Sequence, residues 1–227
     1  MKNLLLLVVC LMTSAHVLGA WVIDPEGSYV GFASVKNDLI AENHSFTDVT
    51  GIIEESGNAK IAIALASVET LIPIRNERMR AILFEVAQYP NLTVTSNLNL
   101  DDFTSLGLGE SETDNIILGV NLHGTDLSKN VLVKVTRGSE TSYEVTSLGP
   151  IVIHASQFAL SDGLESLRKV AGLQSIDLMV PVTFDLKFVE SEPKNSRLQD
   201  NIKICPNWTM IRRFFHRSVV IVNTGIS

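Results

Sequence analysis

Residues able to do chemistry are few in this chain of 227 residues, and none stands at a telling spacing. Past residue 20 the histidines are His44, His123, His154 and His216. No two form an HxxxH or HExxH pair, the spacing that puts two ligands on one helix face toward a metal. A sheet that closed on itself could still gather His44, His123 and His154 into a metal site, which gives a metal-dependent enzyme as one reading. The simpler use of each is a local hydrogen bond, because buried imidazoles are normally partnered. Ser45 and Asp48 lie close to His44, the residue types of a nucleophilic triad, but neighbours in sequence do not make triad geometry. There is no GxSxG, no phosphate-binding loop and no CxxC. The pattern of apolar residues carries far more than these groups do, and it points to a barrel that is either filled by its own side chains or holds an apolar guest.

From Ile176 to Phe188 every second residue is apolar: Ile176, Leu178, Val180, Val182, Phe184, Leu186 and Phe188. Alternation of this kind marks a strand with one dry face and one wet face. At about 3.3 Å per residue the run spans on the order of 40 Å, a length that suits a strand of a closed barrel. Pro181 cannot donate to a ladder, so a bulge or an unpaired stretch is expected there. Further strands read as Ser28–Val35, Val49–Ile53, Lys60–Ala66, Leu92–Leu100, Asn115–His123, Leu127–Arg137, Tyr143–Leu148 and Ile151–His154, most of them separated by Gly, Asn, Asp or Ser. Regular short strands of this spacing fit an antiparallel meander closing into a barrel. Two helices interrupt it. Asn76 is placed to cap Glu77–Ala87, with Met79, Ile82, Leu83 and Val86 on one face. Asp162 and Glu165 stand at capping-box spacing ahead of a helix over Gly163–Ala171, which Gly172 ends.

The first twenty residues read as a secretory leader: Lys2, then the apolar run Leu4–Met12, then the small and mixed residues Thr13–Ala20. That run is too short for a spanning helix, which needs about 20 residues. Val9 before Cys10 argues against lipid attachment at that cysteine. The expectation is export, in a periplasmic setting, of a chain that begins near Trp21. Cys205 is then its only cysteine, so no intrachain disulfide can form and the fold must rest on its core. From Trp21 to Val189 there are 11 Lys and Arg against 22 Asp and Glu, and from Glu190 to Ser227 there are 6 against 3. An acidic body speaks against nucleic acid as a partner. The segment 190–227 opens polar and linker-like, then mixes cationic and apolar residues from Ile211 to Val222. It reads as a loosely ordered or non-native extension, or else as an element for a membrane surface or a partner. Sequons stand at Asn43, Asn91 and Asn207.

Several stretches, in order, resemble the YceI-like family. They are Trp21-Val22-Ile23-Asp24 with Ser28, Val30 and Phe32; Asn43-His44-Ser45-Phe46 with Gly51 and Ile53; Ser67-Val68-Glu69-Thr70 followed by Asn76-Glu77-Arg78-Met79, Leu83-Phe84 and Tyr89-Pro90; Leu122-His123-Gly124; and Val180-Pro181-Val182-Thr183-Phe184. The resemblance covers Trp21 to about Val189. It departs from the family where Ala155 and Ala159 replace a basic residue and a glycine around a Phe158 strand, and where His44-Ser45 precedes the phenylalanine in place of a glycine. It implies an all-β, eight-stranded antiparallel lipocalin-like barrel with one or two short helices capping or flanking it. It also implies a lumen that holds a polyprenyl lipid or isoprenoid quinone non-covalently, with no other cofactor and no catalysis. Candidate lining residues are Val30, Phe32, Phe46, Ile61, Ile63, Leu65, Met79, Leu83, Phe84, Val94, Phe158, Leu164, Leu167, Val180, Val182, Phe184 and Leu186, for each of which ordinary core packing is the alternative use. Asn43, His44, Asn76 and Arg78 are the candidates for a polar mouth. A small hydrophobic ligand is the expected partner, with no stable membrane span, transient membrane contact left open and the oligomeric state unspecified. The competing reading is an envelope stress or scaffold protein whose barrel is filled by its own side chains.

Overall fold

The computed structural model describes residues 21–191. The expected leader, Cys205, Asn207, His216 and nearly all of the expected tail lie outside them. Twelve strand segments form one antiparallel sheet: β1 (Trp21–Ile23), β2 (Tyr29–Lys36), β3 (Ile40–Phe46), β4 (Val49–Ile53), β5 (Asn58–Ala64), β6 (Val68–Glu69), β7 (Asn91–Asn97), β8 (Ser111–Leu122), β9 (Thr125–Ser139), β10 (Ser142–Ser147), β11 (Ile151–His154) and β12 (Met179–Glu190). The sheet closes because β1 pairs with both β4 and β12, from Trp21↔Ile53 on one edge to Ile23↔Phe188 on the other. Four of the eight staves are bent and count as two segments each: β1 with β2, β3 with β4, β5 with β6, and β10 with β11. The staves β7, β8, β9 and β12 are continuous. Joined in this way, every stave pairs with its neighbours in sequence and the last returns to the first, an up-and-down barrel of eight strands.

The bends have local causes. Between β1 and β2, Pro25 opens a 3-10 turn where its missing N–H costs nothing, and the Asp24 carboxylate accepts the Glu26 N–H at 3.2 Å. Between β5 and β6 a 3-10 turn over Leu65–Ser67 buries Leu65 completely. The β8–β9 hairpin turns on His123 and Gly124, both with positive φ, as a two-residue type I′ connection requires. The last strand holds four neighbours: β10 and β11 on one edge, β1 and β2 on the other. Pairing to β2 begins only at Val182, so Pro181 is unpaired on that edge. The strand itself starts at Met179, and Ile176 touches Lys36 through an isolated bridge.

Each of the helices differs from expectation. The first, α1 (Pro73–Arg78), starts earlier than Glu77 and runs on as a π-helical turn over Met79–Leu83. Asn76 lies inside it rather than capping it: its buried amide oxygen accepts the Thr70 N–H at 2.9 Å and the Thr70 hydroxyl at 2.5 Å. After α2 (Asp101–Thr104), a turn with no forewarning in the pattern, α3 runs over Ser161–Ala171. Asp162 and Glu165 form no capping box, since Leu160 holds the cap position and Glu165 is engaged by Arg168 at 2.7 Å. Gly172 ends α3 in the left-handed conformation, as its type suggests. Phe158 falls in a 3-10 turn over Ala155–Phe158, not on a strand, and is fully buried. Gly163 lets α3 press against the π-turn, where a β-carbon would come within 2.9 Å of the Ile82 carbonyl oxygen. Met79, Leu83, Phe84, Phe158, Leu160 and Leu167 thereby form one core cluster with Leu65, Val68, Val120 and Leu122.

Candidate functional site

The barrel interior is not filled. A cavity of about 500 Å³ runs inside it. All of the apolar candidates, from Val30 to Leu186, stand on its wall. Several of them, among them Phe32, Ile61, Val94 and Val182, are only part-buried although they face inward. The surface left to them is the surface of the lumen. The wall also takes in residues that the pattern did not single out as lining: Leu118, Val120 and Leu122 from β8, Ile151 and Ile153 from β11, and Leu160, Ile176 and Phe188. Leu118, Val120 and Leu122 share one strand parity, as do Ile151 and Ile153, so a period-two argument reaches these, but not Leu160, which caps α3.

One end of the lumen is polar. Lys36 of β2 and Arg75 of α1 both bond the carboxylate of Glu42 of β3, at 2.7 and 2.8 Å, and Arg75 also donates to the Thr70 carbonyl at 2.6 Å. The Lys36 ammonium, aided by Arg75, holds the Glu42 carboxyl below the ordinary range even though burial works the other way. Beside this cluster His44 is 5% exposed, tilts against Phe32, and shares a 2.9 Å hydrogen bond between Nε2 and the Ser34 hydroxyl. Burial, then the nearby Arg75 charge, holds its imidazole below the usual value, so it is neutral at pH 7.

Of the four candidates for the polar mouth, His44 and Arg78 border the cavity. The other two do not. Asn43 alternates with His44 and lies exposed on the outer face of β3, and Asn76 is used up in fastening Thr70. The residues missed in their place are Ser34, Lys36, Glu42 and Arg75, all on the wall. Carrying the alternation of Val30 and Phe32 onward to Ser34 and Lys36, and back from Phe46 through His44 to Glu42, would have found three of them. The lining reaches open surface at Ile72, Ile74, Ala171 and Asp177, which are exposed and mark the mouth. Thr95 and Ser96 meet the cavity from the side, where the pairing of β7 with β8 ends.

The histidines are spent separately. His123 bonds Glu85 at 2.8 Å and packs on Tyr89 with ring centroids 4.2 Å apart, while His154 bonds the Ser156 hydroxyl at 2.7 Å. Among the described residues no three His, Cys, Asp or Glu side chains converge as metal ligands. With a closed eight-stave barrel, an apolar lumen and a polar rim in place, the match to known proteins is informative. Residues 21–188 match the YceI-like domain.

The chain belongs to the YceI-like family.

Among solved structures, this YceI-like barrel is similar to a polyisoprenoid binding domain from Saccharophagus degradans implicated in plant cell wall breakdown, at 34% identity and a TM-score of 0.74 over 77% of this chain and 99% of that one. It shares its fold with Burkholderia cenocepacia BcnA, at 16% identity and a TM-score of 0.55 over 73% of this chain and 98% of that one. No curated protein matches the chain. In this YceI-like chain, His44 and Ser34 form a neutral polar pair on the lumen wall.

Proposed function

We propose that this protein binds a polyisoprenoid or isoprenoid-quinone amphiphile in its lumen, without catalysis, and carries or stores it in the cell envelope after export. The observation that carries this reading is the 500 Å³ apolar cavity, within the size range of small-molecule sites. At about 30 Å³ per non-hydrogen atom, the liquid volume of a water, it takes on the order of 15 carbons, about three isoprene units. Burying them is worth about 12 kcal/mol gross at about 0.8 kcal/mol per methylene, before the cost of ordering the chain. The similar Saccharophagus domain, described as polyisoprenoid binding, supports the class of guest. A self-filled scaffold barrel would leave no such space, and a metal-dependent enzyme would need ligands that His44, His123 and His154 do not bring together.

The test is to purify the full chain from its native envelope without detergent and to extract it with organic solvent for mass spectrometry. A polyprenyl lipid near one equivalent is the expected result. Repeatedly lipid-free protein that also takes up no added polyprenol or quinone would refute the reading.

A further inference from the structure

We infer that the rim of the lumen is a docking surface for a lipid bilayer, on which Leu39, Ile40, Leu71, Ile72, Ile74 and Val170 seat the barrel mouth-down. Three segments build this rim: the β2–β3 turn, the loop leading into α1, and the end of α3 with the residues after it. They are fastened together. Asn37 donates its backbone N–H to the Ser175 carbonyl at 3.0 Å, Asp177 donates to Val35 at 2.8 Å, and Glu42 ties Lys36 to Arg75. Leu39 and Leu71 are the most exposed large apolar side chains among the described residues, at 89% and 87%. Ile72 and Ile74 are exposed and also line the cavity, so apolar side chains stand both on the rim and on the wall behind it.

The display of Leu71 is built in. Its φ of 62° lies in the left-handed region, where asparagine or glycine is the easy choice and leucine is strained. The Glu69 carboxylate holds the Leu71 N–H, and Asn76 and Arg75 hold Thr70 next to it. Such conformations persist only where their surroundings over-determine them. The side chain so presented touches water.

Charge sets this face apart. Residues 36–42, 69–80 and 165–177 carry six basic and six acidic side chains, a balance of zero, whereas the rest of 21–189 carries five and sixteen, −11. An anionic membrane therefore repels this face less than the remainder of the barrel. The exposed rim side chains are aliphatic with no aromatic ring among them. That composition suits fluid acyl chains better than a protein partner, whose hot spots favour Trp, Tyr and Arg. The inference rests on the lumen reading only for its purpose, which is transfer of the guest between bilayer and lumen without a passage through water.

The test is flotation of the full chain with vesicles of phosphatidylethanolamine and a minority of phosphatidylglycerol, for the natural sequence and for a Leu39→Ser/Leu71→Asn double variant. Asparagine accepts the left-handed backbone and neither leucine lines the cavity, so the fold and the lumen are kept. The partition constant should fall by about tenfold per leucine. Leu108→Ser, at an exposed leucine at the other end of the barrel, should leave it unchanged. Hydrogen exchange on adding vesicles should slow within residues 37–42 and 70–76. The inference is overturned if the natural chain stays off the vesicles, if the double variant partitions equally, or if protection falls elsewhere. Polyprenol supplied in detergent separates the two readings. A chain that docks through these leucines yet takes up no polyprenol sinks the lumen reading and leaves the docking rim intact.

Discussion

Replacing Val182 by phenylalanine should move stability and affinity in opposite directions. Val182 sits in the first third of β12, paired with Phe32 on β2 and with Ile151 on β11, and its side chain stands on the lumen wall. The exchange adds four carbons and no hydrogens, on the order of 50 Å³, which removes roughly a tenth of the 500 Å³ space. A guest that loses about two methylene sites loses about 1.6 kcal/mol, or about 15-fold in Kd. In the empty protein the ring fills void instead of colliding, and cavity filling of this kind stabilises by about 0.5–2 kcal/mol. Phenylalanine also suits a strand. For a domain of this size each kcal/mol raises Tm by about 2–4 °C. The assay is calorimetric melting of delipidated protein alongside fluorescence titration with a polyprenol. An unchanged Kd would mean that the guest does not occupy this space. A clear drop in Tm would mean that the space is not there.

Asn76→Ala should cost about 1–3 kcal/mol in chemical denaturation, because the buried Thr70 N–H and hydroxyl lose their acceptor, whereas Asn43→Ala, on the exposed outer face of β3, should stay within about 0.5 kcal/mol. Gly57→Ala should destabilise by more than about 1 kcal/mol in the same assay, since Gly57 has a φ of 84° and a β-carbon there would run into the Leu98 carbonyl oxygen. The folded pKa of His44 lies below its reference of 6.5, so beneath that pH the unfolded chain takes up a proton that the folded chain resists. Stability present above that pH should therefore decline as pH falls below it and level off once the folded imidazole is also charged. Urea midpoints against pH should show this limb, and His44→Asn should flatten it.

The barrel was legible because its signal is repeated: alternation fixes which face of each strand turns inward, and closure follows once no strand is left without a neighbour. The run Val180, Val182, Phe184 and Leu186 needed no further information to be placed on the inner wall. Helix starts were less legible. Pro73 outranks Asn76 as a starting signal because a proline at the first helical position gives up an N–H that has no partner anyway, and this frees Asn76 to act on Thr70 across the turn. The family resemblance set Phe158 on a strand, whereas this chain buries it in a 3-10 turn, an outcome that burial, common to both, does not distinguish. The polar cluster of Lys36, Glu42 and Arg75 was missed for a different reason. Two of its members obey the strand parity already in use, but charged residues at inward positions look like errors of register until the coordinates show them bonded to one another at 2.7 and 2.8 Å.

Because β12 alone is zipped to β1, β2, β10 and β11, the final stave works as the keystone of the whole wall. A polypeptide cut short before Met179 would bare two naked edges, one of β1 and β2 and one of β10 and β11, and the greasy trough between them at once, the combination that recruits other chains into aggregates. Solubility in this protein is thus tied to synthesis reaching its last strand, and premature termination is the kind of damage this architecture tolerates least.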